Sequence, residues 1–322
     1  ASLTDMVSRD WSDTWGGSLR VTNVGRLRDG AGRVWAGGGP VVPPSAPAMR
    51  DVAGLSVDDL ADLGEMERWG AARYSNIRFD FAGAHVDTIR PTLKQFDKLA
   101  QKYPEVAKRL EYLGTYQGEG APSATFDAST FAHASSDGKR LGLNPKWYGD
   151  PDKMRESLRT CLDTGWLDAN GEIEDMLSHE FGHQVEHWLL SNNGKAFSRY
   201  LAADGTGNVA DTVRLFNKAN KPTKALSQYA TTTNSIKTTR YQQWVDDRVE
   251  GWAEGFSAIQ TKPRSQWPVY VRRLDTLIEE VGDTSKWIDV GDAVYIGDLR
   301  RDPVEFERAK DTINAIRERL NL

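Results

Sequence analysis

His179, Glu180, Phe181, Gly182 and His183 set two imidazoles four positions apart, with a carboxylate directly after the first. An α-helix advances 3.6 residues per turn, so positions four apart share a face. Two imidazoles placed in this way can bind one zinc ion, and a glutamate beside the first can reach a water on that metal. The chemistry implied is metal-assisted hydrolysis, most often of a peptide bond, with Glu180 as general base.

This chemistry requires a helix, and the flanking residues predict one over about 172–191. Ile173, Met176, Leu177, Phe181, Val185, Trp188 and Leu189 recur at spacings of three and four, an apolar stripe of helical period. Glu172, Glu174 and Asp175 place acids in the first turn, where the helix dipole favours them. Asn192-Asn193-Gly194 is a stop signal. The plainer alternative is a chance match on a buried helix whose histidines bond to backbone or water.

Catalytic zinc takes three protein ligands and one open position, so a third group is needed. His187 is nearest in sequence, but His179, His183 and His187 spread over about 12 Å of helix axis at about 1.5 Å per residue, too far for one ion. Position 189 is leucine, which also breaks the extended three-histidine pattern. His187 is therefore read as structural or supporting. A second helix is expected over 246–259, with Val249, Trp252, Ala253, Phe256 and Ile259 as its apolar face. Glu250 and Glu254 lie one turn apart beside that face, and buried carboxylates are costly unless something offsets their desolvation. Glu250 as metal ligand and Glu254 as hydrogen-bond acceptor from a ligand imidazole would supply that offset. The alternative is a solvated acidic edge.

His179-Glu180-Phe181-Gly182-His183 taken with Glu250-Gly251-Trp252-Ala253-Glu254-Gly255-Phe256 resembles the zincin-like metallopeptidases of the gluzincin type. The likeness is to the catalytic core of anthrax lethal factor and its relatives and, more closely, to zincin modules of phage minor capsid or head-morphogenesis proteins. The helix break at Tyr103-Pro104, the strand-and-turn block from Asp137 to Tyr148 and the Ser227-Gln228-Tyr229-Ala230 stretch add to it, over about residues 77–260. The resemblance implies an α+β fold, with a small mixed sheet over the active-site helix and a second, glutamate-bearing helix. It implies Zn2+ as cofactor, His179, His183 and Glu250 as metal ligands, Glu180 as catalytic base and Glu254 as the supporting acid. Tyr229 matches a tyrosine that stabilises the developing oxyanion. Here, however, residues 236–246 intervene before the glutamate helix, and they contain Tyr241, which leaves Tyr229 and Tyr241 as rivals for that role. The function implied is a phage-associated zinc endopeptidase acting on a protein or peptide substrate by a metal-activated water. The alternative is a structural virion component (capsid, connector or tail) in which zinc only holds the fold. Either places the chain in a virion or the host cytoplasm.

Composition narrows the partners. A net charge of −5 argues against nucleic acid as the main partner, because phosphate binding calls for a basic face. No apolar run reaches the roughly eighteen residues of a membrane span, and the first residues lack the pattern of a signal peptide. The sole cysteine, Cys161, has no disulfide partner within the chain and is expected to be a small core residue.

Residues 1–50 read as an extended arm and a Pro/Gly-rich linker, suited to contact other phage structural proteins, with Trp11, Trp15 and Trp35 as docking candidates. Residues 51–322 read as one domain, its catalytic core at about 77–260 and a helical part at 261–322. Within it, Ser56 is a candidate cap for a helix carrying Leu60, Leu63, Met66 and Trp69. Strands are expected near 77–81, 112–116, 130–134 and 140–143, and helix over 85–112 with interruptions at Pro91 and Pro104. The resemblance places such strands above the metal helix, the edge strand pairing with substrate backbone. His133, alone on a strand, is read as structural. Residues 267–281 and 303–320 read as helices, with strand-like pieces at 287–290 and 293–296 between them.

Overall fold

The structure is a computed structural model; it describes residues 49–168, 171–192, 194–197, 208–232, 234–237, 244–247 and 249–289. The arm and most of the linker, Tyr241, and the pieces expected at 293–296 and 303–320 lie outside these residues. The architecture is α+β, with a four-stranded mixed sheet beside a helical layer. Among the described residues no helix is long and apolar enough to cross a membrane.

The sheet runs β1 (Arg78–Asp80), β2 (Tyr112–Gly114), β4 (Arg140–Leu143), β3 (Ala132–Ala134). The first three strands are parallel, and β3 lies antiparallel on the edge, with Ala132 opposite Leu143 and Ala134 opposite Leu141. Helix α1 (Leu63–Arg73) precedes β1, and α2 (Val86–Lys102) and the short α3 (Pro104–Ala107) form the crossover to β2. Two short-range expectations are corrected. Ser56 precedes only a 3-10 turn, Val57–Asp59. The cap of α1 is Asp62, whose carboxylate accepts from Glu65 N at 2.8 Å, while the Glu65 carboxylate accepts from Ala61 N at 2.8 Å. Pro91 does not interrupt α2; it forfeits only its own bond to the preceding turn. The buried face of Ile89, Leu93, Phe96 and Leu99 holds the helix through it.

After β4 come α4 (Pro145–Tyr148) and α5 (Pro151–Asp163), then α6 (Ile173–Leu190), which carries the two histidines. A capping box opens α6: the Asp175 carboxylate accepts from Glu172 N at 3.0 Å, and the Glu172 side chain caps the first turn in return. The apolar stripe read from the sequence is wholly buried, because α6 packs against α2, α7 (Val209–Ala219), α8 (Val249–Thr261) and β3 together. Helix α9 (Val269–Gly282) covers the far side of α8. A small sheet pairs β5 (Lys195–Phe197) with β8 (Trp287–Asp289).

Helix α8 starts at Val249, not at 246. Asp246 and Asp247 end β7 (Trp244–Asp247), which pairs with β6 (Asn234–Lys237) in an antiparallel hairpin. The segment that separates the tyrosine stretch from the glutamate helix therefore contains two paired antiparallel strands.

Close approach of α6 and α8 depends on Gly182. A Cβ there would stand 2.9 Å from the Phe256 Cβ. On the other side of α8, Gly251 faces Pro222, whose Cγ would lie 2.3 Å from an added Cβ. Two bonds lace the helices: Trp252 Nε1 donates to the Gly182 carbonyl at 3.0 Å, and Ser257 Oγ to the Asp175 carbonyl at 3.3 Å. We predict that Gly182→Val pushes the helices apart and lowers the unfolding free energy by about 1–3 kcal/mol, despite the flexibility it removes from the unfolded chain. Urea denaturation measures this, and an unchanged or raised midpoint would show that the contact tolerates a side chain.

Candidate metal centre

Helix α6 turns His179 and His183 toward α8, and α8 returns Glu250 to them. Glu250 Oε2 lies 3.1 Å from His179 Nε2 and 3.3 Å from His183 Nε2. Ligands bound to zinc at about 2.0–2.1 Å and at the tetrahedral angle stand roughly 3.3 Å apart, so these separations suit the edges of such a site. The donor set of two imidazoles and a carboxylate matches a divalent cation of borderline hardness. One donor atom from each of the three residues lies within 4.8 Å of the others, and no other group of this kind occurs among the described residues. The residues present therefore fit a metal ion.

A further carboxylate stands behind the histidine. His179 Nδ1 donates to Glu254 Oε1 at 2.9 Å, so Nε2 is the nitrogen that faces Glu250. Glu254 is 3% exposed, and its other oxygen accepts from the Asp168 amide at 2.9 Å. Burial alone would depress the His179 imidazole, but hydrogen bonds to Glu250 and Glu254 and the charge of Glu180 hold it well above the usual range. Burial alone would raise the Glu250 carboxyl, but hydrogen bonds and charge from His179 and His183 hold it well below.

Glu180 is held apart from this group. Burial pushes its carboxyl up, with the charge of Glu250 adding, against the pull of His179 and His183 and a hydrogen bond from the Ala134 amide. That amide belongs to β3, so the sheet edge lies directly over the carboxylate. The Tyr229 hydroxyl donates to Glu250, and burial followed by the charges of Glu250 and Glu180 raises its pKa far above that of a free phenol. Its ring stacks on His179 at 5.7 Å between centroids. Tyr229 stands at the head of a 3-10 turn, Tyr229–Thr231, whose backbone is tied to the segment after α5: Gln228 N donates to the Gly165 carbonyl at 2.9 Å and Tyr229 N to the Trp166 carbonyl at 3.0 Å.

His179, Glu180 and Tyr229 form the floor of an open cleft of about 670 Å³. Its walls are mainly apolar: Phe131 and Ala132 from the sheet edge, Trp147 from α4, Cys161 from α5, Trp166 and Leu167 from the following segment, and Met176 from α6. A second cleft of about 640 Å³ between α7 and α9 is lined by Leu215, Phe216, Val269 and Arg272 among others, and has no carboxylate or imidazole in its lining.

The structure thus brings His179, His183 and Glu250 together, with Glu180 and Tyr229 at their border and Glu254 behind. His187 is not in the group: it lies beside Gly138, its pKa lowered by burial and by the positive neighbours His183 and Arg109. His133 stacks on Tyr116, with Nε2 3.2 Å from the tyrosine hydroxyl. Cys161 is only partly buried and lines the cleft, a correction to its expected place in the core. The sequence assigns no role to the segment Gly165–Asp168, which supplies a donor to Glu254 and a wall to the cleft. Comparison with known proteins found no matching family model, curated protein or solved structure.

In the metal-free protein the raised pKa keeps His179 protonated near neutral pH, so a cation must displace the Nε2 proton. Binding should release at least about one proton, and apparent affinity should fall by about tenfold for each unit that pH drops below the His179 pKa. Calorimetry in buffers of different ionisation enthalpy measures the release. Heats that do not vary with the buffer would show that metal binding displaces no proton from His179.

Proposed function

We propose that this chain is a zinc-dependent endopeptidase. What carries the reading is the convergence of His179, His183 and Glu250 beside a half-buried carboxylate, Glu180, that is not one of the three donors and opens into a cleft. Three protein ligands leave one coordination position open, which is the pattern of a catalytic zinc and not of a structural one. A site that only holds a fold needs no base beside it.

Bound there, zinc lowers the pKa of water and polarises a substrate carbonyl. The remaining work falls to the chain. Glu180, with its carboxyl raised above the usual range by burial, takes a proton from the attacking water and delivers it to the leaving amine. Glu254 fixes the His179 ring by holding its Nδ1 proton. Tyr229, kept as a neutral phenol by its surroundings, offers its hydroxyl proton to the oxygen that gains charge. The hydrogen bond to Glu250 and the stack on His179 favour Tyr229 for this role; its rival Tyr241 lies outside the described residues. An extended peptide laid along β3 would place its backbone above Glu180 and an apolar side chain between Phe131, Trp147 and Trp166. The same proposal takes a protein or peptide as substrate and a phage particle as setting, with residues 1–50 meeting other structural proteins; this part rests on the sequence resemblance alone.

The deciding experiment pairs zinc analysis with cleavage of casein and a peptide library, with and without chelator. We expect stoichiometric zinc and chelator-sensitive cleavage; full zinc with no cleavage of any substrate would overturn the enzyme reading in favour of a structural site. Glu180→Gln should retain zinc while losing about 10²–10⁴-fold in kcat, and cleavage at the parent rate would remove Glu180 as base. Tyr229→Phe should lower kcat by about 10²–10³-fold with KM little altered, and an unchanged kcat would rule Tyr229 out of the oxyanion role.

A further inference from the structure

Glu254 has its two oxygens committed to two donors on different elements: His179 Nδ1 on α6 and the Asp168 amide on the segment after α5, each at 2.9 Å. One donor alone would leave the carboxylate free to rotate about it; the second sets its plane, and with it the direction in which His179 Nε2 points. The position of the Asp168 amide is set in turn by its own side chain. Asp168 Oδ1 accepts from Lys262 Nζ at 2.6 Å, and both side chains are mostly buried, at 17% and 16% exposed.

Lys262 directly follows α8, the helix that carries Glu250 and Glu254. The contacts therefore close a ring: from α8 through Lys262 to the Asp168 carboxylate, from the Asp168 amide to Glu254, and back to α8. The Lys262 charge also offsets the repulsion between two neighbouring buried carboxylates, Asp168 and Glu254. The same segment reaches the metal centre by a second route. The Trp166 carbonyl holds Tyr229 N at 3.0 Å, and the Trp166 ring packs on Tyr229 at 5.5 Å between centroids.

We propose that Lys262 and Asp168 are positioning residues for the metal centre: their ion pair locks the 165–168 segment so that Glu254 orients His179 and the Trp166 carbonyl orients Tyr229. The inference rests on the reading of His179, His183 and Glu250 as a metal site. It does not require that the site hydrolyse anything.

The test uses the full chain with Lys262→Met, which keeps the stem and removes the charge, and Lys262→Arg, which restores the charge. Zinc affinity is read by competition with a chromophoric chelator, ligand geometry by the visible spectrum of the cobalt-substituted protein, and turnover by kcat and KM separately. Lys262→Met should weaken zinc binding by about 10–100-fold, shift the cobalt bands and lower kcat more than it raises KM, with Lys262→Arg recovering most of each. If Lys262→Met fails to fold, Asp168→Asn, which keeps the amide donor and the side-chain shape, should move affinity and spectrum in the same direction by a smaller amount. Parent affinity and an unchanged cobalt spectrum in a folded variant would overturn the proposal, even if that variant melts earlier. A parent that binds zinc but cleaves nothing would overturn the peptidase reading while the affinity and spectral results still decide this one. A parent that binds no metal would overturn both.

Discussion

Two carboxylates, Glu250 and Glu254, are buried between α6 and α8, and most of the described structure makes that burial tolerable. A desolvated carboxylate left alone costs far more than any single packing contact returns, so each must meet a positive or donating partner at contact distance. Both find it in the same imidazole. His179 presents Nε2 to Glu250 and Nδ1 to Glu254, and a cation among His179, His183 and Glu250 would complete the compensation. The interaction is therefore short-ranged and demanding. It exists only if two helices far apart in sequence approach until their backbones nearly touch. The missing side chain at Gly182 and the bond from Trp252 Nε1 to the Gly182 carbonyl permit and hold that approach.

Around this pair of helices the other elements divide the work. Helix α2 and the aromatic set of Phe96, Tyr103, Phe181 and Phe256 fill the dry side of α6. The sheet leaves β3 as an edge, and its Ala134 amide reaches the Glu180 carboxylate, so a sheet edge, a candidate base and His179 of the donor cluster share one opening. Apolar side chains from β3, α4, α5 and the following segment line most of that opening, and burial raises the pKa of the base.

Legibility from the sequence followed the range of the forces. Helix α6 was readable to within a residue or two because a strong apolar stripe, acids in the first turn and an Asn-Gly stop all act within the segment. The strands of the sheet were placed correctly for the same local reason. Errors came where nearby signals competed. Ser56 and Asp62 are both good caps, and the capping bonds with Glu65 form at Asp62. Pro91 reads as a breaker, yet the buried face of α2 outweighs one lost bond. Asp246 and Asp247 continue the acidic run into Glu250, but strand pairing in the β6–β7 hairpin claims them.

By itself the sequence determined the chemistry on offer: two imidazoles and a carboxylate on one helix face, and two more carboxylates one turn apart on another. Those are consequences of spacing within a helix, where covalent geometry leaves little choice. Only the tertiary structure decided that Glu250 meets both histidines, that Glu254 holds Nδ1 of His179, and that the 165–168 segment and Lys262 close a ring behind them. Such contacts join residues dozens of positions apart. Their distances are set by how whole elements pack, and no local periodicity encodes that.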